Sequence, residues 1–295
     1  MLYFSHISLK EGNESMATKK TSQTTKKAVT KKPVATKAPT ANTTKVRTVT
    51  ATATPKRSIR ALNLNRSPLI GAAVAEFIGT FLLAAVFIAG QGQPILILFA
   101  LAGIVLTIGA VSGAHINPIV TIGAWVTRRI NVARAATYLV AQVLGAMLAL
   151  VVLTGFVNQA PTVTPEMAAF GQTAATLYSA VPLPEDKQWA VLFAELLGAT
   201  ILGLAVASAL RAKEKLTAAF TYGFGFFTAL LIAGSAAVMV GGTAILNPAV
   251  AISLQAFSDF NFWVFAVYAL APVLGGIIGF ALSDLIHGTT SRNDA

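Results

Sequence analysis

The chain has 295 residues, 55% of them hydrophobic and only 11% charged, and it contains no cysteine. Soluble globular domains carry about 25% charged residues, so this balance excludes one and makes the bilayer the solvent; the lack of Cys excludes disulfides and thiolate metal sites. The net charge of +11 belongs to one end, because residues 1–66 hold 14 of the 22 Lys and Arg residues and two of the 11 acids, leaving the other 229 residues near neutral.

In chain order, residues 1–66 come first, as a basic tail that repeats Lys, Thr, Ala and Pro with almost no bulky apolar side chain between positions 19 and 56. Such a composition cannot bury enough surface to offset its ordering entropy and predicts disorder. Its readings, in order of preference, are a solvated leader, an anchor on anionic lipid headgroups and a nucleic-acid contact. Nucleic acid is not expected, since Tyr3 and Phe4, its aromatic residues, both lie outside the Lys-rich stretch. Lys dominates over Arg and no amphipathic face is present, which argues against an organellar transit peptide.

Six apolar stretches follow, at approximately 69–89, 94–112, 134–157, 188–209, 216–238 and 262–286. Each meets the length of about 20 helical residues needed to span a hydrocarbon core. Two shorter apolar segments, about 117–127 and 247–257, open with Asn-Pro after a Gly-rich approach and reach only halfway. With this division, 21 of the 22 basic residues share one side and only Lys187 faces the other. The positive-inside rule then puts both termini in the cytoplasm of a multi-pass cell-membrane protein.

The two halves of the apolar region repeat one another. Asn117 stands 21 residues before Tyr138, and Asn247 stands 21 before Tyr268. The same register pairs TYLVAQVLGA (137–146) with VYALAPVLGG (267–276), and upstream AEFIGTFLL around Glu76 pairs with AELLGATIL around Glu195. Three full spans per copy is an odd number, so the copies insert with opposite topology. Residues 67–160 form the first inverted repeat and residues 186–287 the second, with 288–295 as a short C-terminal tail. Inverted repeats with broken helices set a solute path at their interface near the midplane.

Asn is a favoured N-cap and Pro suits the first helical position, so Asn117-Pro118 and Asn247-Pro248 are helix starts. Entering from opposite faces, the two half-helices direct two positive dipole ends at one spot, which repels cations. The side-chain amides of Asn117 and Asn247 can donate to a passing oxygen.

With these motifs in view, SGAHINPIVT (112–121), LNPAVA (246–251), AEFIGTFLL, YLVAQVLGA and YALAPVLGG together resemble the aquaporin or major intrinsic protein family over about residues 68–287. The resemblance implies an all-α membrane protein of aquaporin-like fold: six transmembrane helices plus two re-entrant half-helices in two inverted repeats, one pore per subunit and a homotetramer. It implies a passive channel for water or small uncharged solutes, with no cofactor and no metal. Glu76 and Glu195 would hydrogen-bond the half-helix loops, and His115 would brace the loop carrying Asn117, the alternatives being pore lining or pH sensing.

Departures from the family pattern fall on the path itself. Ile119 stands where the first motif usually has Ala, whereas Ala249 keeps it in the second, and Val250 replaces the customary Arg three residues after Asn247. Counting on the family's spacing, the other constriction positions are Ile97, Ser235 and Ala244. They match neither the water-selective nor the glycerol-conducting set, and they predict a wide, apolar throat with Ser235 as its one side-chain hydrogen-bonding group. The rival readings are an ion-coupled secondary transporter, for which Glu76 and Glu195 are the embedded acids, and a non-conducting membrane protein that acts through its tail. No nucleophile, base and orienting acid occur together, so an enzyme is not expected.

Overall fold

The computed structural model describes residues 68–259 and 261–288. The basic tail, and all but the first residue of the short C-terminal tail, lie outside the described residues. In chain order the elements are α1 (Pro68–Ala89), α2 (Pro94–Ser112), α3 (Pro118–Val126), α4 (Val132–Val157), α5 (Pro165–Ala169), α6 (Gln188–Ala209), α7 (Lys215–Met239), α8 (Pro248–Ser253), α9 (Phe262–Phe265), a π-helical turn (Ala266–Leu270) and α10 (Ala271–His287). Among the described residues, α1, α2, α4, α6, α7 and the run Phe262–His287 are long and apolar enough to cross a membrane.

Local chemistry explains where these helices begin. Pro occupies the first turn of α2, α3, α5 and α8, where a missing N–H costs nothing, and Asn117, Asn131, Thr164, Asn247 and Asn261 cap helix starts through their side chains. The last span widens into its π turn directly before Pro272, which has no N–H to return to the carbonyl of Tyr268 one turn back.

Because lipid is as apolar as a Leu side chain, association of the spans depends on close backbone approach and on hydrogen bonds. The repeat supplies the former in matched places. Gly145 of α4 lies on the Phe77 carbonyl of α1, and Gly275 of α10 lies on the Leu196 carbonyl of α6, so close that a Cβ would overlap the backbone. The α1–α4 and α6–α10 pairs form the two halves, α2 joins α1 to α7, and each short helix packs on the opposite half, α3 on α10 and α8 on α4.

The second half-span is shorter than the segment of about 247–257 that its apolar run predicts. Helix α8 has six residues against nine in α3, and after Ser253 the chain turns, with Gln255 at φ 57°. A pair of equal dipole ends is therefore replaced by an unequal one.

Two clasps hold the ends. At the basic end, Asp284 of α10 accepts from Arg129 at 2.7 Å and from Arg211, and the Arg129 guanidinium lies 5.0 Å over the Phe280 ring. At the opposite end the α5–α6 connection is pinned by Ala180 N–H donating to the Leu254 carbonyl at 2.8 Å and Val181 N–H donating to Thr243 Oγ1 at 3.1 Å.

Candidate functional site at the meeting of the two half-helices

The segments leading into α3 and α8 carry backbone polar groups into the middle of an apolar bundle, where each unpaired group costs about 1–3 kcal/mol. One buried carboxylate serves each segment. Glu76 of α1 accepts from His115 N–H at 2.8 Å and Ile116 N–H at 2.6 Å. Glu195 of α6 accepts from Ile245 N–H at 2.6 Å and Leu246 N–H at 3.1 Å. Gathering two successive N–H groups onto one carboxyl bends the chain sharply. Ile116 and Leu246, the residues immediately before the two Asn, both take left-handed conformations, with φ 43° and 57°. Such backbone costs about 1–3 kcal/mol per residue and persists only where its surroundings over-determine it.

The bend directs the carbonyls of Ile116 and Leu246 across the pseudo-symmetry axis. Asn117 Nδ2 donates to the Leu246 carbonyl at 2.8 Å, and Asn247 Nδ2 donates to the Ile116 carbonyl at 3.1 Å. Each Asn is fixed from its other end by its own helix: Asn117 Oδ1 accepts from Ile119 N–H at 2.9 Å, and Asn247 Oδ1 from Ala249 N–H at 3.0 Å and Val250 N–H at 3.3 Å. A carboxamide nitrogen has two N–H groups, so each Asn retains a second donor after this exchange.

Further contacts stiffen the first segment. Gln142 Nε2 donates to Glu76 Oε2 and to Thr121 Oγ1, each at 2.8 Å, while His115 Nδ1 lies 3.2 Å from Thr121 Oγ1 and its ring stands edge-on to Tyr138 at 5.1 Å. Gln142 Oε1 has no partner. In the second half Pro272 stands in the register of Gln142, and the hydrogen bonds to Glu195 come from backbone alone.

The four positions expected at the constriction differ in burial. Ile97 and Val250 are fully buried, whereas Ala244 and Ser235 border an open depression of about 300 Å³ together with Gly92, Pro94 and Tyr178. The buried face of α7 runs through Tyr222, Phe226, Leu230, Ala233 and Ala237. Ser235 follows Phe226 by nine residues, a rotation of about 180° at 3.6 residues per turn, and is exposed, bordering the depression it shares with Ala244.

Two depressions lie against α2 and α7, one toward each end of α2. The depression at the basic end, about 270 Å³, is bordered by Gly109, Gly113, Lys213, Lys215 and Tyr222; the other is the one at Ala244. Between them stand the buried side chains of Tyr222 and Phe226. Tyr222 Oη donates to the His115 carbonyl at 2.7 Å, and Phe226 meets Phe87 of α1 edge-to-face at 6.0 Å. Spacing from the Asn-Pro motifs missed all three aromatics. The one signal for Tyr222 and Phe226 is their i, i+4 recurrence on α7, Phe87 of α1 has none, and a largely apolar span gives little cue as to which face turns inward.

Residues 63–287 match the family model described as "Major intrinsic protein". The chain belongs to the major intrinsic protein family. It is 30% identical to Aquaporin AqpM of Methanothermobacter thermautotrophicus over 191 residues, 61% of this chain and 70% of that protein. It is 32% identical to Glycerol uptake facilitator protein-like 6 of Lactiplantibacillus plantarum over 221 residues, 70% of this chain and 93% of that protein. Among solved structures, the aquaglyceroporin of Plasmodium falciparum superposes with a TM-score of 0.54 at 18% identity, covering 74% of this chain and 95% of that one, a likeness of fold. A multi-pass membrane protein with the aquaporin fold follows from the family and the six apolar helices.

Proposed function

We propose that this major intrinsic protein is a passive channel of the cell membrane for water and small uncharged solutes, with the path running past Asn117 and Asn247. The observation that carries the reading is the reciprocal exchange between the two half-helices, which holds two carboxamides at the centre of the bundle with one N–H donor each to spare. A neutral solute oxygen accepts from those donors in turn. A cation finds two rigid donors and few acceptors, since the Ile116 and Leu246 carbonyls are already engaged. Pore diameter, lining donors and half-helix dipoles are the general terms of such selectivity.

The lack of charge at Val250 removes a strong donor from the throat, so selection there rests on size and desolvation by Ile97, Val250 and Ala244. Glu76 and Glu195 are occupied in holding backbone N–H groups, which disfavours ion coupling through either. The Arg and Lys residues at the ends of α3, α6 and α7 assign the basic end to the cytoplasm, with both termini there. The subunits form a homotetramer.

Stopped-flow light scattering on proteoliposomes tests the reading. Wild type shrinks in an impermeant osmolyte faster than protein-free vesicles and re-swells in urea or glycerol, and Val250→Arg suppresses the re-swelling. Rates equal to those of protein-free vesicles for the wild type and for every variant defeat the channel reading.

A further inference from the structure

We propose that an aromatic plug on α7, Phe226 braced by Phe87 with Tyr222 one turn away, decides which solutes pass, ahead of the constriction at Val250. The inference rests on the channel reading above and names the residues that set permeation through it.

Three observations carry it. The two depressions are separated on α7 by one stripe: Tyr222 borders the cytoplasmic one, Leu230 borders the other, and Phe226 lies between them, fully buried. Eight residues of helix rise about 12 Å, so the interruption is two turns thick. Phe87 and Phe226 come from helices that are not neighbours in the bundle, since α1 packs on α2, α4 and α8 while α7 packs on α2 and α6. Two rings that meet from such helices do so across the interior. Finally, Tyr222 Oη occupies the His115 carbonyl, an acceptor on the segment that leads to Asn117, and a solute arriving from the cytoplasmic depression meets that hydroxyl first.

Chemically, the plug is a hydrophobic constriction with one polar lip. Water crossing between the rings forfeits hydrogen bonds over about two turns, and such constrictions gate by dewetting. Passage requires Phe226 to swing from the Phe87 edge, and the width released by that swing sets the largest neutral solute that crosses. Polyols and urea cross only while the rings are apart, and so more slowly than water.

The test compares water, urea and glycerol permeability in proteoliposomes for wild type, Phe226→Ala, Phe87→Ala, the double variant and Tyr222→Phe. Phe226→Ala and Phe87→Ala each raise urea and glycerol entry several-fold, and the double variant adds little, because both remove one contact. Tyr222→Phe keeps its ring volume, frees the His115 carbonyl and raises water permeability. Phe226→Leu, which retains apolar packing, replaces Phe226→Ala if the latter does not fold, and gives a smaller rise in the same direction. A wild type that exceeds protein-free vesicles while these variants leave its solute profile unchanged overturns the plug and leaves the channel intact. If wild type and all variants equal protein-free vesicles, both readings fall.

Discussion

Ile119 of the first Asn-Pro motif sits in the space that a side chain on Gly276 would fill: a Cβ built on Gly276 collides with Ile119 Cγ2 and comes within 3.1 Å of the Ile119 carbonyl. Across the pseudo-symmetry axis the sizes are reversed, since the second motif has Ala249 and the register of Gly276 holds Ala146. The bulk of Ile119 is thus accommodated by α10, on the side away from Asn117, whose hydrogen bonds keep the pattern seen at Asn247.

From this pair, Gly276→Ala overpacks the α3–α10 contact and destabilises by about 1–3 kcal/mol. Ile119→Ala in the same chain recovers most of the loss. Thermal unfolding in detergent of the two single variants and the double measures the coupling, and additive shifts would count against a direct contact.

The two carboxylates respond differently to amidation. Glu195→Gln sets a carboxamide against Ile245 and Leu246 N–H, where one oxygen replaces two and backbone is all that surrounds it, at a cost of about 1–3 kcal/mol. Glu76→Gln is milder, because Gln142 can turn over and present its unpartnered Oε1 to the new amide. Comparing melting temperatures of the two variants checks the order, and an equal or larger loss for Glu76→Gln would refute the role assigned to Gln142.

Ser235→Leu tests whether the path runs through the depression that Ser235 shares with Ala244. Added bulk there lowers water permeability while the melting temperature stays within error of wild type. Unchanged permeability takes Ser235 off the path.

At the cytoplasmic end, Asp284→Asn weakens the bridges to Arg129 and Arg211. These side chains are 20–36% exposed, so solvent screening limits the loss to about 1 kcal/mol or less. Wild-type stability should fall slightly with added salt and the variant's should not, as followed by melting in a salt series.

What the sequence determined by itself was whatever is local or periodic. Span length and apolarity located all six crossing helices to within about two residues, because a bilayer core admits backbone only as helix. Asn-Pro located both half-helices, because capping and the missing proline N–H are properties of adjacent residues. The register of the Asn-Pro motifs paired Gly145 with Gly275, and the matched segments upstream paired Glu76 with Glu195. Only the tertiary structure decided which face of each span turns inward. On an all-apolar helix such as α7 nothing local distinguishes Phe226, which meets Phe87, from Phe224, which is exposed; lipid and core are equally apolar, and the choice is made by the neighbours that approach. The same reason left the stripe Tyr222, Phe226 and Leu230 to be found in space.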